Sequence, residues 1–145
     1  MIYCIENSQL RVEVSSLGAE LQSIQKAGFE YLWQGSESFW KSRSPVLFPF
    51  CGRNTDGRYL LDDQEYPMPI HGFARESEFF PEKVTDSSVT FTLTSNEKTL
   101  SCYPRAFRFS VQYEVTGNAL RLTFTVTNED QKPMYFGLGL HPGFN

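Results

Sequence analysis

The sequence predicts an all-β fold built from antiparallel sheets. Apolar and polar residues alternate with a period of two in four separate segments, which is typical of a strand with one buried and one solvated face. Two of these segments are separated only by a short turn containing Gly117 and Asn118, so we expect them to form a hairpin. No segment carries an apolar stripe at helical spacing over three turns.

Taken in chain order, the predicted strands cover residues 10–14, 89–93, 107–115 and 120–126. In each strand every second residue is apolar and the residues between are polar. Residues 37–41 and 104–108 can each hold a single helical turn. Since no repeat or linker-like stretch divides the chain, we expect residues 1–145 to form one domain or one part of one.

The segment between residues 39 and 80 differs from the rest of the chain. It is interrupted by four prolines and three glycines, and its apolar alternation is weak. This composition predicts a long, irregular excursion between strands. Functional sites are often built on such loops.

Composition excludes several classes of function. A formal net charge of -4 argues against a nucleic-acid binder that depends on bulk charge, and 15% aromatic residues provide ample material for a packed core. No apolar stretch approaches the roughly 20 residues of a membrane span, and charged residues near the start argue against a signal peptide. Three cysteines, an odd number, are most simply explained as reduced thiols, so we expect a cytoplasmic protein.

The two histidines are the first candidates for chemistry. His71 and His141 are both flanked by glycine or proline and by aromatic residues. Glycine lets a ligand approach the backbone closely, and an aromatic ring offers a flat face for a sugar. The alternative is that each is a turn or core histidine satisfied by a backbone carbonyl. No His-x-His, Cys-x-x-Cys or His-Glu-x-x-His spacing is present, so we expect no metal site.

Arg53 follows an apolar, proline-stiffened run over residues 44–52. This order would place a guanidinium at the rim or floor of an apolar cleft. A surface arginine beside a turn is the alternative. Cys51, in the same run, is a weaker candidate for a catalytic cysteine.

Three segments, residues 48–53, 69–75 and 133–145, occur in an order that resembles the aldose 1-epimerase (galactose mutarotase) family. Within that family the chain is most similar to the LacX-like subgroup of epimerase-like proteins. The similarity spans essentially the whole chain, including the opening strands. It covers only the N-terminal half of the family's length.

The resemblance implies a fold and an activity. The fold is a large antiparallel β-sandwich of the galactose mutarotase type, of which residues 1–145 form the N-terminal part. The activity is interconversion of the α and β anomers of a free hexose without a cofactor or a metal. His141 matches the general acid that protonates the ring oxygen, while His71 and Arg53 match residues that bind and polarise the sugar. The resemblance therefore implies that His141 and His71 are catalytic and that Arg53 and His71 bind the substrate. Gly52 stands where better-known mutarotases have an asparagine, a departure that bears on sugar preference.

The family's general base is a glutamate late in the chain, and no residue here matches it. We therefore expect residues 1–145 to carry an incomplete active site. The alternatives are a non-catalytic carbohydrate-binding module, an inactive fragment, or a structural β-module without a ligand.

If the sheet faces at residues 107–115 and 120–126 lack part of their cover, they favour a homodimer or a larger assembly. The expected partner is a small-molecule hexose, with neither nucleic acid nor membrane.

Overall fold

The computed structural model describes all 145 residues and contains twelve strands and one short α-helix. The strands are, in chain order, β1 (Ile2–Glu6), β2 (Arg11–Ser15), β3 (Leu21–Lys26), β4 (Phe29–Glu30), β5 (Val46–Leu47), β6 (Arg58–Leu61), β7 (Gln64–Pro67), β8 (Phe80–Val84), β9 (Ser88–Thr94), β10 (Phe107–Thr116), β11 (Ala119–Asn128) and β12 (Gly139–Leu140). The helix α1 covers Glu97–Cys102. No helix of the protein is long and apolar enough to cross a membrane.

Two four-stranded antiparallel sheets form the body of the protein. One has the strand order β1-β2-β3-β4 and the other the order β11-β10-β9-β8. Strands β10 and β11 pair along their full length, and the turn between them contains Gly117 at a φ of 56°. The all-β prediction, the four predicted strands and the hairpin are therefore confirmed.

The core lies between the two sheets. All five inward-facing residues of β10 are at most 4% exposed. The ring of Tyr3 in β1 meets that of Phe91 in β9 at 5.2 Å, and the Tyr113 hydroxyl donates to the Ala19 carbonyl at 2.6 Å. The expectation that residues 107–115 lack cover is wrong, because this face of β10 is buried in the core.

Strand β11 differs from β10 because it is the edge strand of its sheet. Its apolar residues are only half-buried: Leu120, Leu122, Phe124 and Val126. The expectation of missing cover is confirmed for this strand. Assembly into a dimer remains a prediction.

The single helix lies where none was predicted. The Asn96 side chain accepts a hydrogen bond from the Thr99 amide at 3.1 Å, and the Thr99 hydroxyl accepts one from the Asn96 amide at 2.9 Å. This reciprocal cap starts α1. Residues 37–41 form no helix, and residues 104–108 run into β10. Six residues are too few to show a helical period in the sequence. The capping residues Asn96 and Thr99 were the signal from which this helix could have been predicted.

The irregular excursion contains one hairpin that periodicity did not reveal. Strands β6 and β7 are joined by Asp62 and Asp63, which have φ values of 51° and 59°. Aspartate tolerates this left-handed conformation better than most residues, so the two-residue turn can form without glycine.

We expect Tyr113→Phe to lower the free energy of unfolding by about 1–3 kcal/mol, because the fully buried Ala19 carbonyl would lose its donor. Urea titration measures the loss. Tyr66→Phe is the control, since its hydroxyl binds the exposed Gln64 side chain and its removal should cost less than about 0.5 kcal/mol. Equal losses for the two variants would contradict a role for Tyr113 in joining the sheets.

Candidate functional site

The site is organised by residues 45–48, a short segment that we call the central strap. Its strand β5 pairs with β12, with Leu47 opposite Gly139. Because β12 ends at Leu140, His141 is the first residue beyond this pairing. The His141 amide donates to the Pro45 carbonyl at 3.2 Å. The pairing of β5 with β12 thus holds His141 beside the central strap.

The loop that carries His71 also binds the central strap. The Phe48 carbonyl accepts hydrogen bonds from the amides of Phe73 at 3.0 Å and Ala74 at 3.1 Å. Gly72 forms a bridge with Phe48 and has a φ of 77°. A Cβ at Gly72 would lie 2.2 Å from the Phe48 carbonyl oxygen, so only glycine allows this close approach.

These contacts bring His71 and His141 into one cleft. The cleft has a volume of about 120 Å³. The other residues that line it are Trp40, Ser42, Pro45, Leu47 and Arg75. Ligand pockets usually measure roughly 300–1,000 Å³, so this cleft is smaller than a typical ligand pocket.

The imidazole of His71 is held in one tautomer. The Gly52 amide donates to His71 Nδ1 at 3.0 Å, and the His71 amide donates to the Gly52 carbonyl at 2.8 Å. A ring nitrogen that accepts a hydrogen bond carries no proton, so the proton of the neutral ring lies on Nε2. Nε2 is therefore the nitrogen available to donate to a ligand. The backbone of His71 has a φ of 66°, a conformation that few residues other than glycine adopt.

Three effects lower the pKa of His71. Burial contributes most, followed by the positive charges of Arg75 and His141. All three disfavour the imidazolium. His71 is therefore suited to act as a neutral hydrogen-bond donor.

His141 is exposed and packs against a tryptophan. Its ring meets that of Trp40 edge-on, with centroids 5.1 Å apart. Gly143 then passes between the two tryptophans, where a Cβ would lie 2.8 Å from the Trp40 ring and 2.9 Å from Trp33 Cβ. The Trp33 amide donates to the Gly143 carbonyl at 2.9 Å. These contacts fix the His141 ring and the chain that follows it.

Arg53 does not line the histidine cleft. Its side chain is exposed and lines a different, open cavity with Asn54, Asp56 and Pro69, among others. Its neighbour Gly52 is the residue that binds His71. The structure thus brings the two histidines together but not the Arg53 side chain, whose role in sugar binding stays a prediction.

Cys51 lacks the lowered thiol pKa that is typical of a catalytic cysteine. Although the residue as a whole is exposed, its Sγ lies against Gly139, where a Cβ would be 3.0 Å from it. This burial raises the pKa of the Cys51 thiol and so disfavours the reactive thiolate. The protein contains no group of three or more histidine, cysteine or acidic side chains that could hold a metal ion.

Trp40, Ser42 and Arg75 line the cleft but were not predicted as site residues. Arg75 lies four residues after His71, and the single 3₁₀ turn Ala74–Glu76 carries it back towards the cleft. Its place in the 69–75 segment was a usable signal. The sequence gives no such signal for Trp40 and Ser42, because they reach the cleft through tertiary packing alone.

Comparison with known proteins gives a consistent result. A family model described as aldose 1-epimerase matches residues 1–145. The protein LacX encoded on a plasmid of Lactococcus lactis subsp. lactis is 38% identical over 148 residues, which cover 97% of this chain and 50% of that protein. This chain thus spans about half the length of the curated relatives it matches.

Two solved structures share the fold. They are a galactose mutarotase related enzyme from Lactobacillus acidophilus and a galactose mutarotase-like protein from Lactobacillus casei ATCC 334. Each is 41% identical to this chain with a TM-score of 0.98, and all of this chain is covered along with 49% and 50% of those chains, respectively. The predicted family resemblance and the predicted sandwich type are confirmed.

We expect Gly72→Ala to lower the free energy of unfolding by about 2 kcal/mol or more, since the new Cβ would collide with the Phe48 backbone at a positive φ. Gly117→Ala is a matched control, because Gly117 also has a positive φ but nothing lies within 4 Å of the new Cβ. Gly117→Ala should lower the free energy of unfolding by only about 1 kcal/mol. Urea titration of both variants measures the difference, and a smaller loss for Gly72→Ala would contradict the close approach.

We expect His71 to titrate below the usual histidine pKa of about 6.5. The unfolded chain then binds this proton more tightly than the native protein. The stability contributed by neutral His71 is therefore full above about pH 6.5 and is lost as the pH falls from there to the native pKa.

Two measurements check this expectation. An NMR titration of the His71 ring should give a midpoint below about 6.5. Urea titrations at two pH values, one above and one below that midpoint, measure the free energy of unfolding. Its decrease from the higher to the lower pH should be larger for the wild type than for His71→Gln. A native midpoint at or above about 6.5 would show that burial and the neighbouring cations do not control this ring.

Proposed function

Because this chain belongs to the aldose 1-epimerase family, we propose that the protein interconverts the α and β anomers of a free hexose. One observation carries the proposal: two histidines from segments 70 residues apart in the chain, His71 and His141, line a single cleft. The backbone hydrogen bonds of the central strap place both of them there.

The reaction needs an acid and a base. A base removes the proton from the anomeric hydroxyl while an acid protonates the ring oxygen, and the bond between the anomeric carbon and the ring oxygen breaks. Rotation of the resulting aldehyde followed by ring closure gives the other anomer. A side chain that titrates near neutral pH can give a proton during opening and take it back during closure, and histidine is the residue best suited to this.

In this mechanism His141 donates the proton to the ring oxygen. It is exposed at the cleft, so it can exchange protons with solvent between turnovers. Its ring is positioned by the edge contact with Trp40 and by the backbone bond to Pro45. Positioning of the acid lowers the entropic part of the barrier.

His71 binds the sugar rather than exchanging a proton. Its Nδ1 is occupied by the Gly52 amide, so its Nε2 proton can be donated to a sugar oxygen in a fixed direction. A lowered pKa keeps the ring neutral during this contact. Arg53 is proposed as a second sugar-binding residue, on the resemblance alone. The base, a glutamate in this family, is proposed to lie in the part of the relatives that this chain does not span.

We expect His141→Gln to reduce kcat for anomer exchange by about 100-fold or more, because glutamine cannot supply a proton. Polarimetry of freshly dissolved α-glucose and α-galactose, with the protein that carries this chain, measures the rate. KM should change little, and an unchanged melting temperature would show that the variant is folded. An unchanged rate would remove His141 from the mechanism. Sugar binding without any acceleration by the wild type would favour a carbohydrate-binding module instead.

A further inference from the structure

Glu20, which the proposed mechanism does not use, holds the segment that leads into the central strap. Its Oε1 accepts hydrogen bonds from the amides of Arg43 at 2.9 Å and Ser44 at 3.0 Å. Residues 41–45 belong to no helix or strand, and Ser44 is fully buried. A buried amide in such a segment needs an acceptor from outside it. The Glu20 carboxylate supplies that acceptor, and its charge strengthens both bonds.

The segment held by Glu20 in turn holds the loop that carries His141. The Arg43 carbonyl accepts a hydrogen bond from the Gly143 amide at 2.8 Å, and the Pro45 carbonyl accepts one from the His141 amide at 3.2 Å. The two carbonyls are only two residues apart, so both depend on the same short stretch of backbone. The Glu20 carboxylate is thus linked to the backbone of the proposed acid through two successive sets of hydrogen bonds.

Glu20 is itself held by the core. The preceding residue, Ala19, is fully buried, and its carbonyl accepts the hydrogen bond from the Tyr113 hydroxyl at 2.6 Å. Ala19 adopts a φ of 47°, a conformation that few residues other than glycine take and that surrounding contacts must determine. The second carboxylate oxygen, Oε2, accepts a hydrogen bond from the Gln22 side chain at 3.0 Å, which orients the carboxylate. A side chain supported in this way can place a second segment accurately.

We propose that Glu20 is a positioning residue for His141. This inference rests on the proposed function, in which His141 protonates the ring oxygen. Glu20 is not among the residues that line the cleft, so it acts through residues 43–45. Proton transfer requires the acid to lie within hydrogen-bond distance of the ring oxygen, and a small displacement of the acid lowers the rate steeply. Loss of the Oε1 acceptor frees residues 43–45 and, with them, the loop of His141.

Kinetics of the protein that carries this chain test this role. Glu20→Ala removes the acceptor, so we expect kcat for anomer exchange of α-glucose or α-galactose to fall by about 10-fold to 100-fold. KM should change little, because Glu20 does not line the cleft. Glu20→Gln keeps an oxygen that can accept from both amides, so it should restore most of the lost kcat.

Asp130→Ala is the matched control. Like Glu20, Asp130 is partly buried, and its carboxylate accepts hydrogen bonds from two backbone amides, those of Ala106 and Lys132. Neither of these two residues lines the cleft or binds the loop of His141. Asp130→Ala should therefore lower the melting temperature, as Glu20→Ala does, but leave kcat unchanged.

The ring of His141 gives a readout that needs no catalysis. It packs edge-on against Trp40 with centroids 5.1 Å apart, so the NMR resonances of its ring protons depend on its position relative to that indole. We expect Glu20→Ala to shift the His141 ring resonances. The resonances of His71, whose ring is held by the Gly52 amide, should stay in place. Neither ring should shift in Asp130→Ala.

The outcomes separate this inference from the proposed function. Unchanged His141 resonances in Glu20→Ala, an equal loss of kcat in Glu20→Ala and Asp130→Ala, or no recovery in Glu20→Gln would overturn the positioning role. A rise in KM at unchanged kcat would also overturn it, since Glu20 would then shape the binding site instead. If the wild type does not accelerate anomer exchange, the proposed function fails, whereas a selective shift of the His141 ring still supports the link from Glu20.

Discussion

The cleft depends on the position of Phe48. Its ring is fully buried and stacks on Phe109 of β10 at 4.4 Å, and it also meets Phe107 at 5.4 Å. Its carbonyl, on the same residue, accepts hydrogen bonds from Phe73 and Ala74. One residue therefore anchors the core of a main sheet and holds the loop of His71. The geometry of the cleft is tied to the packing of the sandwich, and disturbing either affects the other.

The two sides of the central strap are held in different ways. His141 follows a regular antiparallel pairing, in which Gly139 lies opposite Leu47. His71 lies in an irregular loop that reaches the strap through two amides sharing one carbonyl, with a left-handed backbone at His71 itself. Unusual backbone conformations persist where surrounding contacts determine them, and they are common at functional sites. The irregular loop thus carries His71, which we propose binds the sugar, whereas the exposed His141 stays in contact with solvent.

The sequence predicted the long elements well and the site only by resemblance. Strands β10 and β11 were evident because ten-residue alternation is a strong local signal. Strands β5 and β12 have two residues each and pair across about 90 positions of the chain, so no local pattern reveals them. The convergence of His71 and His141 therefore could not be derived from periodicity. Arg53 and Arg75 illustrate the same limit, because only tertiary packing determines that Arg75 lines the cleft and that Arg53 does not.

The passage of Gly143 between Trp33 and Trp40 has an optical consequence. These are the only two tryptophans of the chain, and both are fixed against the loop that carries His141. Tryptophan fluorescence therefore reports on this one corner of the molecule. The edge contact between the His141 ring and Trp40 also places a titratable group within quenching distance of one emitter. The chain thus carries an intrinsic chromophore beside its candidate acid, and no external label is needed to observe that residue.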